Sequence, residues 1–192
     1  MDDWQIFVEP EGEWITLPSD PAEDPVEFAE TTVRELGLDP TDTLIGFQVR
    51  VFTERAQQVD AVVAGVLPAI DLTGVLAYLE IASVPVDPDG PPTDLDDLAV
   101  VLRPRGDAWH DVSQPTLPIG PVVRVHAIDP ETDPTAASQP VVEYLSYTLP
   151  EPSGENVVAL TISWTELASS EQMVELADAA AETLRFEPDP GG

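Results

Sequence analysis

The first third of the chain contains a segment whose apolar residues lie at helical spacing and whose ends are chemically defined. Asp24 can cap a helix, and Pro25 suits its first position. Glu27 can complete a capping box, and Gly37 can end the helix. The apolar stripe consists of Val26, Ala29, Val33 and Leu36. The pattern therefore predicts a helix between Pro25 and Gly37.

A second amphipathic stretch begins with a similar signal at Asp39-Pro40-Thr41-Asp42. Up to Pro68 its apolar residues alternate spacings of four and three, at Ile45, Val49, Phe52, Ala56, Val59, Val63 and Val66. A strand is the alternative for the first part, because residues 45, 47, 49 and 51 also alternate. Since the helical matches are more numerous, the pattern predicts one long helix over residues 40–67.

Short apolar or alternating runs between turn residues predict the strands. Residues 4–8 and 13–17 are two such runs on either side of Pro10-Glu11-Gly12, which predicts a hairpin. Further strands are predicted over residues 75–84, 121–128, 141–149 and 156–165, and loops over 87–92 and 130–140.

Two more helices complete the predicted elements. Thr93 with Asp96 resembles the cap of a short helix ending at Leu102, and Ser169 with Gln172 predicts the start of a last helix that runs to Arg185. Strands in runs, with helices toward the two ends of the chain, favour an α+β fold in which an antiparallel sheet is flanked by helices. The length predicts a single domain of residues 1–186 with a loose tail of residues 187–192.

Charge is the strongest compositional signal. Seven basic residues, all of them arginine, face 37 acidic ones, and the net charge is −30. A field of this sign repels nucleic-acid and anionic-lipid phosphates, so we expect neither nucleic acid nor membrane as a partner. The same field attracts basic proteins, cationic ligands or divalent metals, and among these we predict a basic protein partner. Solubility, adaptation to high salt and a GC-rich genome explain the same acidity without a partner.

Several classes of site are excluded by residues that the chain does not contain. Without cysteine there are no disulfides, thiolate nucleophiles or thiolate-bound metals, and without lysine there is neither a P-loop nor a Schiff base. The start Met1-Asp2-Asp3-Trp4 is acidic where a secretory signal is basic, and no apolar run has the length of a membrane span. These observations predict a cytoplasmic protein without a cofactor.

The C-terminal third, about residues 140–186, shows a resemblance to a known superfamily. A strand with Tyr144 is followed by a turn at residues 152–155, an apolar strand closing in Thr165, and a helix ending in Leu184-Arg185. This order resembles the ending of PsbP-like proteins, which include the extrinsic photosystem subunit PsbP, a Ran-binding nuclear import factor and actinobacterial LpqN-type lipoproteins. The segment EGEWITLP near the N-terminus is similar to the early tryptophan–leucine–proline strand of that family.

The resemblance implies an α/β/α sandwich around an antiparallel sheet. It implies no catalytic activity, since members of the superfamily are mostly binding or assembly factors without a shared catalytic motif. The chain lacks the lipobox cysteine of the LpqN-type lipoproteins, so their lipid anchor is not carried over. The predicted helix over residues 40–67 is also longer than the resemblance leads us to expect.

The two histidines are the first candidates for chemistry. His110 has Asp107, Asp111 and Ser113 nearby in sequence, which is the composition of a hydrolytic triad, but triad members normally converge from separate elements. We therefore expect a solvated loop around His110. His126 alternates with Arg124 along a predicted strand, so both project to one face. There they either bind an anion or, as we favour, form internal ion pairs.

The remaining candidates are a cationic–aromatic cluster and two aspartate-rich turns. Arg103, Arg105 and Trp109 can anchor an acidic or aromatic group of a partner by guanidinium pairing and stacking, or can neutralise neighbouring acids. The turns at 87–90 and 129–133 lack the full ligand set of an EF-hand loop, so no metal site is predicted.

Together these observations predict a non-enzymatic protein-interaction module, that is, an adaptor, chaperone-like or neutralising protein suited to a basic partner. The candidate partner-binding residues are Arg103, Arg105, Trp109, His110, Arg124 and His126. One alternative is a small-molecule or lipid carrier with a pocket between the sheet and the helix at 40–67. The other is a hydrolase centred on His110.

Overall fold

The structure is a computed structural model that describes residues 4–39, 44–69, 71, 73–85, 94–104, 109–130, 141–152, 154 and 156–188. Its α-helices are α1 (Pro25–Glu35), α2 (Leu44–Gln58), α3 (Leu95–Val101) and α4 (Ser170–Glu182). Its strands are β1 (Trp4–Phe7), β2 (Ile15–Thr16), β3 (Val63–Pro68), β4 (Val75–Pro85), β5 (Trp109–Ser113), β6 (Thr116–Leu117), β7 (Gly120–Pro121), β8 (Val123–Pro130), β9 (Val141–Pro150), β10 (Asn156–Trp164) and β11 (Arg185–Pro188).

The chain divides into two compact units. Residues 12–82 form one unit, and residues 1–11 with 83–192 form the other. Each combines antiparallel strands with helices, so the predicted α+β class, a sheet flanked by helices, is confirmed. The assignment of residues 1–186 to a single domain stays a prediction. None of the described helices is long and apolar enough to cross a membrane.

In the unit of residues 12–82, strands β2, β3 and β4 pair in that order, and α1 and α2 pack together. The start of α1 follows the sequence prediction in its Asp24 cap and its Pro25, while the bond from Glu27 that would complete a capping box is not observed. The Asp24 carboxylate accepts hydrogen bonds from the backbone N–H groups of Val26 and Glu27, at 2.8 and 3.4 Å, and Pro25 opens the helix. The helix ends before Gly37, whose φ of +76° suits glycine. The core of this unit contains Leu17, Ala29, Val33, Ile45, Val49, Ala56, Ala61, Ala64, Val66 and Tyr78.

The predicted helix over residues 40–67 is wrong in its second half. Helix α2 ends at Gln58, and the chain turns through Asp60, whose φ is +51°, into strand β3. Val63 and Val66 continue the helical spacing by coincidence. In a buried strand nearly every residue is apolar, so some pairs of apolar residues are three apart without a helix. Residues 40–43, which include most of the predicted helix start, lie outside the described residues.

In the other unit, strands β10, β9, β8 and β5 pair in that order, all antiparallel. The predicted strands at 75–84, 121–128, 141–149 and 156–165 are thus confirmed to within about two residues as β4, β8, β9 and β10. Helix α3 packs against the sheet face that carries Val123, Val125 and Ala127, and α4 packs against the opposite face. The N-cap of α3 is Asp94, which accepts from the Asp97 N–H, and not the predicted Thr93.

The predicted hairpin of residues 4–8 and 13–17 does not form. Strand β1 pairs with β11 at the other end of the chain, and β2 pairs with β3. Consequently Glu187 and Pro188, placed in a loose tail by the sequence, belong to a strand, while residues 189–192 lie outside the described part. Helix α4 ends at Glu182, so the predicted end at Arg185 is three residues too late. Leu184 is buried beyond the helix, and Arg185 begins strand β11.

The predicted capping box at the start of α4 is also absent. A 3₁₀ turn (Leu167–Ser169) leads directly into the helix. Ser169 therefore has a compact backbone, with φ −99° and ψ 10°, and its side chain makes no capping hydrogen bond.

Candidate functional site

The strand register brings polar residues from distant parts of the sequence onto the sheet face beneath α4. Directly paired residues of neighbouring antiparallel strands share a face. Reading across β5, β8, β9 and β10, three successive rows on this face are Trp109–Ile128–Glu143–Trp164, Asp111–His126–Leu145–Ile162 and Ser113–Arg124–Tyr147–Leu160. The histidine of the second row is therefore adjacent to the glutamate of the first.

Glu143 lies at the centre of a closed hydrogen-bond group. Its side chain is 3% exposed. Its Oε1 atom accepts from His126 Nε2 at 2.7 Å and from Ser170 Oγ at 2.6 Å, and its Oε2 atom accepts from Trp164 Nε1 at 3.0 Å. A buried carboxylate is tolerated only when several donors replace its water, and here three side chains do so. We call these four residues the Glu143 cluster.

The Glu143 cluster contains a serine, a histidine and a carboxylate, yet their order is not that of a catalytic triad. In a triad the histidine joins the serine to the acid, so that the imidazole can accept the hydroxyl proton. Here the carboxylate joins the other two, and the Ser170 hydroxyl donates to Glu143. This geometry fixes orientations and provides no activated nucleophile.

Trp109 packs against the histidine of the Glu143 cluster. Its ring meets the His126 imidazole edge to face, with centroids 4.8 Å apart and planes at 88°. The residue remains 52% exposed. The sequence grouped Trp109 with Arg103 and Arg105, but its observed ring partner is the histidine. Arg103 is exposed beyond the end of α3, and Arg105 lies outside the described residues.

Arg124, two residues from His126, forms a second polar group with α4 and β9. Its Nε and Nη2 atoms donate to the two carboxylate oxygens of Asp178, at 3.0 and 3.3 Å. The Tyr147 hydroxyl donates to the same carboxylate. Burial, and then the hydrogen bond to Asp178, raise the pKa of Tyr147 above its ordinary range. The predicted projection of Arg124 and His126 to one face is observed, and each pairs internally with an acid.

The sequence predicted a solvated loop around His110, but this segment is strand β5. In a strand, the residues considered for a triad cannot all point toward one another. Alternate residues of a strand point to opposite faces, so His110 points away from both Asp111 and Ser113. Asp107 lies outside the described residues. The side chains of the two predicted aspartate-rich turns lie outside them too, and the described remainder shows no acidic or histidine cluster that could hold a metal.

A third polar group, in the unit of residues 12–82, was not anticipated. Arg55 donates from Nε and Nη2 to the two carboxylate oxygens of Glu80, at 3.1 and 2.9 Å, and its guanidinium lies 5.4 Å from the centre of the Tyr78 ring. Burial is the main cause that raises the pKa of Tyr78. The available signal was Glu80 itself, an isolated acid within the otherwise apolar run of β4.

The unit of residues 1–11 and 83–192 also holds a mainly apolar cavity of about 320 Å³. Its walls include Leu95, Ile119, Pro121, Leu149, Pro152 and Phe186. It is distinct from the pocket that the sequence suggested beside residues 40–67.

Comparison with known proteins gives a fold and no family. No family model matches the chain, and no curated protein matches it. The crystal structure of LpqN, involved in cell envelope biogenesis of Mycobacterium tuberculosis, matches with a TM-score of 0.53. The chain is similar in fold to LpqN. The match covers 97% of this chain and 86% of LpqN at 11% sequence identity, so it shows a similar fold alone.

Proposed function

We propose that this protein is a non-enzymatic interaction module whose acidic surface binds a basic protein partner. The observation that carries the proposal is the closed Glu143 cluster, in which histidine, serine and carboxylate converge and satisfy one another. Within this cluster the histidine, the serine and the carboxylate are engaged with one another, which supports a structural role for them.

The distribution of the acids supports a binding role. Glu80 and Glu143 are the buried acids among the described residues, so nearly all the described negative charge lies at or near the surface. Complementary charge accelerates the encounter with a partner and selects against partners of the same sign. A net charge of −30 gives this selection a large magnitude.

Fold analogy points the same way. The likeness to LpqN agrees with the resemblance of residues 140–186 to PsbP-like proteins, and we propose that the chain is a distant member of that superfamily. Its members are mostly binding or assembly factors. Fold analogy supports the class of function and does not identify the partner.

Affinity capture from a native lysate tests the proposal. We expect one dominant basic protein at moderate salt, lost as the ionic strength rises because the attraction is screened. The control bait is an unrelated acidic protein of the same size and net charge, which removes binders that respond to charge alone. If the bait recovers nothing beyond that control, even at low salt, the proposal is refuted.

The apolar cavity favours a second candidate function, carriage of a small apolar ligand. Its volume of about 320 Å³ is at the lower end of ligand pockets, which span roughly 300–1,000 Å³. Native mass spectrometry of protein purified from its host should then show a bound species, and Leu149→Trp, which fills the cavity, should remove it. A ligand-free mass for the wild-type protein would contradict the carrier hypothesis. A hydrolase centred on His110 gains no support from the geometry of β5.

A further inference from the structure

On the sheet face that α4 covers, the side chains of β5 at the edge remain exposed to solvent. Trp109, Asp111 and Ser113 are all exposed, and we call these three residues the β5 face. On the adjacent strand β8, the side chains of Arg124 and His126 are only 16% and 15% exposed. Among the described strands β5 is the last of its sheet. The cover over this sheet therefore ends between β8 and β5.

Helix α4 packs over β9 and β10 of the same sheet and carries acids along its exposed side. Ser170, at the start of α4, contacts Glu143 in the Trp109 row, and Asp178 contacts Arg124 in the Ser113 row. The helix therefore runs the length of the β5 face. Glu171, Glu175, Asp178 and Glu182 recur at helical spacing and form one acidic stripe, and α4 carries no basic residue. Asp178 reaches Arg124 on β8, so this acid lies on the side of α4 toward β5, while Glu171, Glu175 and Glu182 are exposed to solvent.

Trp109 is held in place on this face before any partner arrives. Its ring packs against His126, which is itself fixed by Glu143. A fixed and half-exposed tryptophan loses little conformational entropy on binding, and tryptophan is enriched among residues that dominate interface energies. Its remaining surface can accept an arginine or lysine cation, since indole is the strongest side-chain cation–π acceptor.

We propose that the β5 face, together with the acidic side of α4, binds an arginine- and lysine-rich segment of a partner protein. One cation stacks on Trp109, and others pair with Asp111 and with the glutamates of α4. This assignment rests on the proposed function and gives it a location. Charge complementarity selects this occupant, because a second copy of the chain, at −30, and a nucleic acid both carry the repelling sign.

A synthetic peptide tests the site directly. Strand β5 has five residues, so an extended peptide of about seven residues spans it at ~3.3 Å per residue. The probe alternates arginine with threonine and carries a fluorophore, and the control peptide has glutamine in place of each arginine. Anisotropy titration measures both peptides at low and moderate ionic strength. We expect the arginine peptide to bind at least tenfold more tightly than the glutamine peptide.

A pair of charge-matched variants separates location from net charge. Asp111→Lys and Glu35→Lys change the net charge equally, but Glu35 is an exposed residue of α1 in the other unit. We expect Asp111→Lys to weaken peptide binding at least tenfold and Glu35→Lys to weaken it less than threefold. Trp109→Ala should cost about 5- to 30-fold, the range from an exposed to a desolvated cation–π contact, while Trp109→Phe should retain part of the affinity.

The outcomes distinguish the site from the function. Circular dichroism first confirms that each variant is folded. If Trp109→Ala is unfolded, Trp109→Phe, which keeps a ring against His126, is used in its place. If both lysine variants weaken binding equally, the location is wrong although the protein still binds basic segments. If the wild-type protein binds the arginine and glutamine peptides alike, the location is overturned too. If, in addition, lysate capture recovers no basic partner, the proposed function is refuted as well as the location.

Discussion

Replacing Glu143 by glutamine should destabilise the protein by about 3 kcal/mol. The carboxylate accepts three hydrogen bonds, and a glutamine amide can accept at only one of its two terminal atoms. With its oxygen in the place of Oε1, the amide nitrogen faces the indole N–H of Trp164. Leaving that buried donor unsatisfied costs about 1–3 kcal/mol. The bonds from His126 and Ser170 also lose their charged acceptor, at roughly 0.5–1 kcal/mol each.

One effect opposes these losses. Glutamine carries no charge, so the substitution removes the cost of keeping a carboxylate out of water, which is why we expect about 3 and not 5 kcal/mol. Glu175→Gln is the matched control, because Glu175 is an exposed residue of α4 and surface substitutions usually change stability by about 0.5 kcal/mol or less.

Urea unfolding followed by far-UV circular dichroism measures the effect. For a transition whose free energy falls by about 2 kcal/mol per molar urea, a loss of 3 kcal/mol lowers the midpoint by roughly 1.5 M. Since the chain has two compact units, the transition of the unit containing Glu143 is the one that should move. A double-mutant cycle with Trp164→Phe then isolates the donor conflict, because phenylalanine has no N–H to leave unsatisfied.

We expect the two substitutions in this cycle to be less than additive by about 1–3 kcal/mol, the penalty of one unsatisfied buried donor. A midpoint for Glu143→Gln within experimental error of the Glu175→Gln control would refute the reasoning. So would strictly additive effects with Trp164→Phe, since they would mean that the two side chains do not interact.

Three further predictions follow from the other polar groups. Burial raises the pKa of Tyr78 and of Tyr147, so at alkaline pH the folded state keeps phenol protons that the unfolded state loses. The free energy of unfolding should therefore fall as the pH rises above about 10, and absorbance should show these phenols ionising only on unfolding. Arg124→Lys should lower stability by about 1 kcal/mol in urea, because lysine cannot make the two parallel bonds to Asp178, and an unchanged midpoint would contradict this. Asp24→Ala should cost about 1 kcal/mol in thermal unfolding, whereas Asp24→Asn, which keeps an accepting side chain, should cost much less.

Some features of the site could be recognised in the sequence, and others could not. The alternation of Arg124 with His126 correctly indicated a shared face, because strand periodicity is a local property. Their partners Asp178 and Glu143 lie 54 and 17 residues away, and nothing in a list of 37 acids distinguishes these two. The sequence indicated Trp109 as a candidate anchor for a partner, which stays a prediction, and its contact with His126 depends on the pairing of β5 with β8.

The sequence by itself determined the class of the fold, the long strands, the start of α1 and the sign of the surface charge. Each of these depends on residue spacing, local capping or composition. Only the tertiary structure decided that α2 stops at Gln58, that β1 pairs with β11, and that β5 is a strand at all. Backbone hydrogen bonds in a sheet can join any two segments that packing brings together, so a short segment has no pairing preference until the rest of the chain supplies its neighbour.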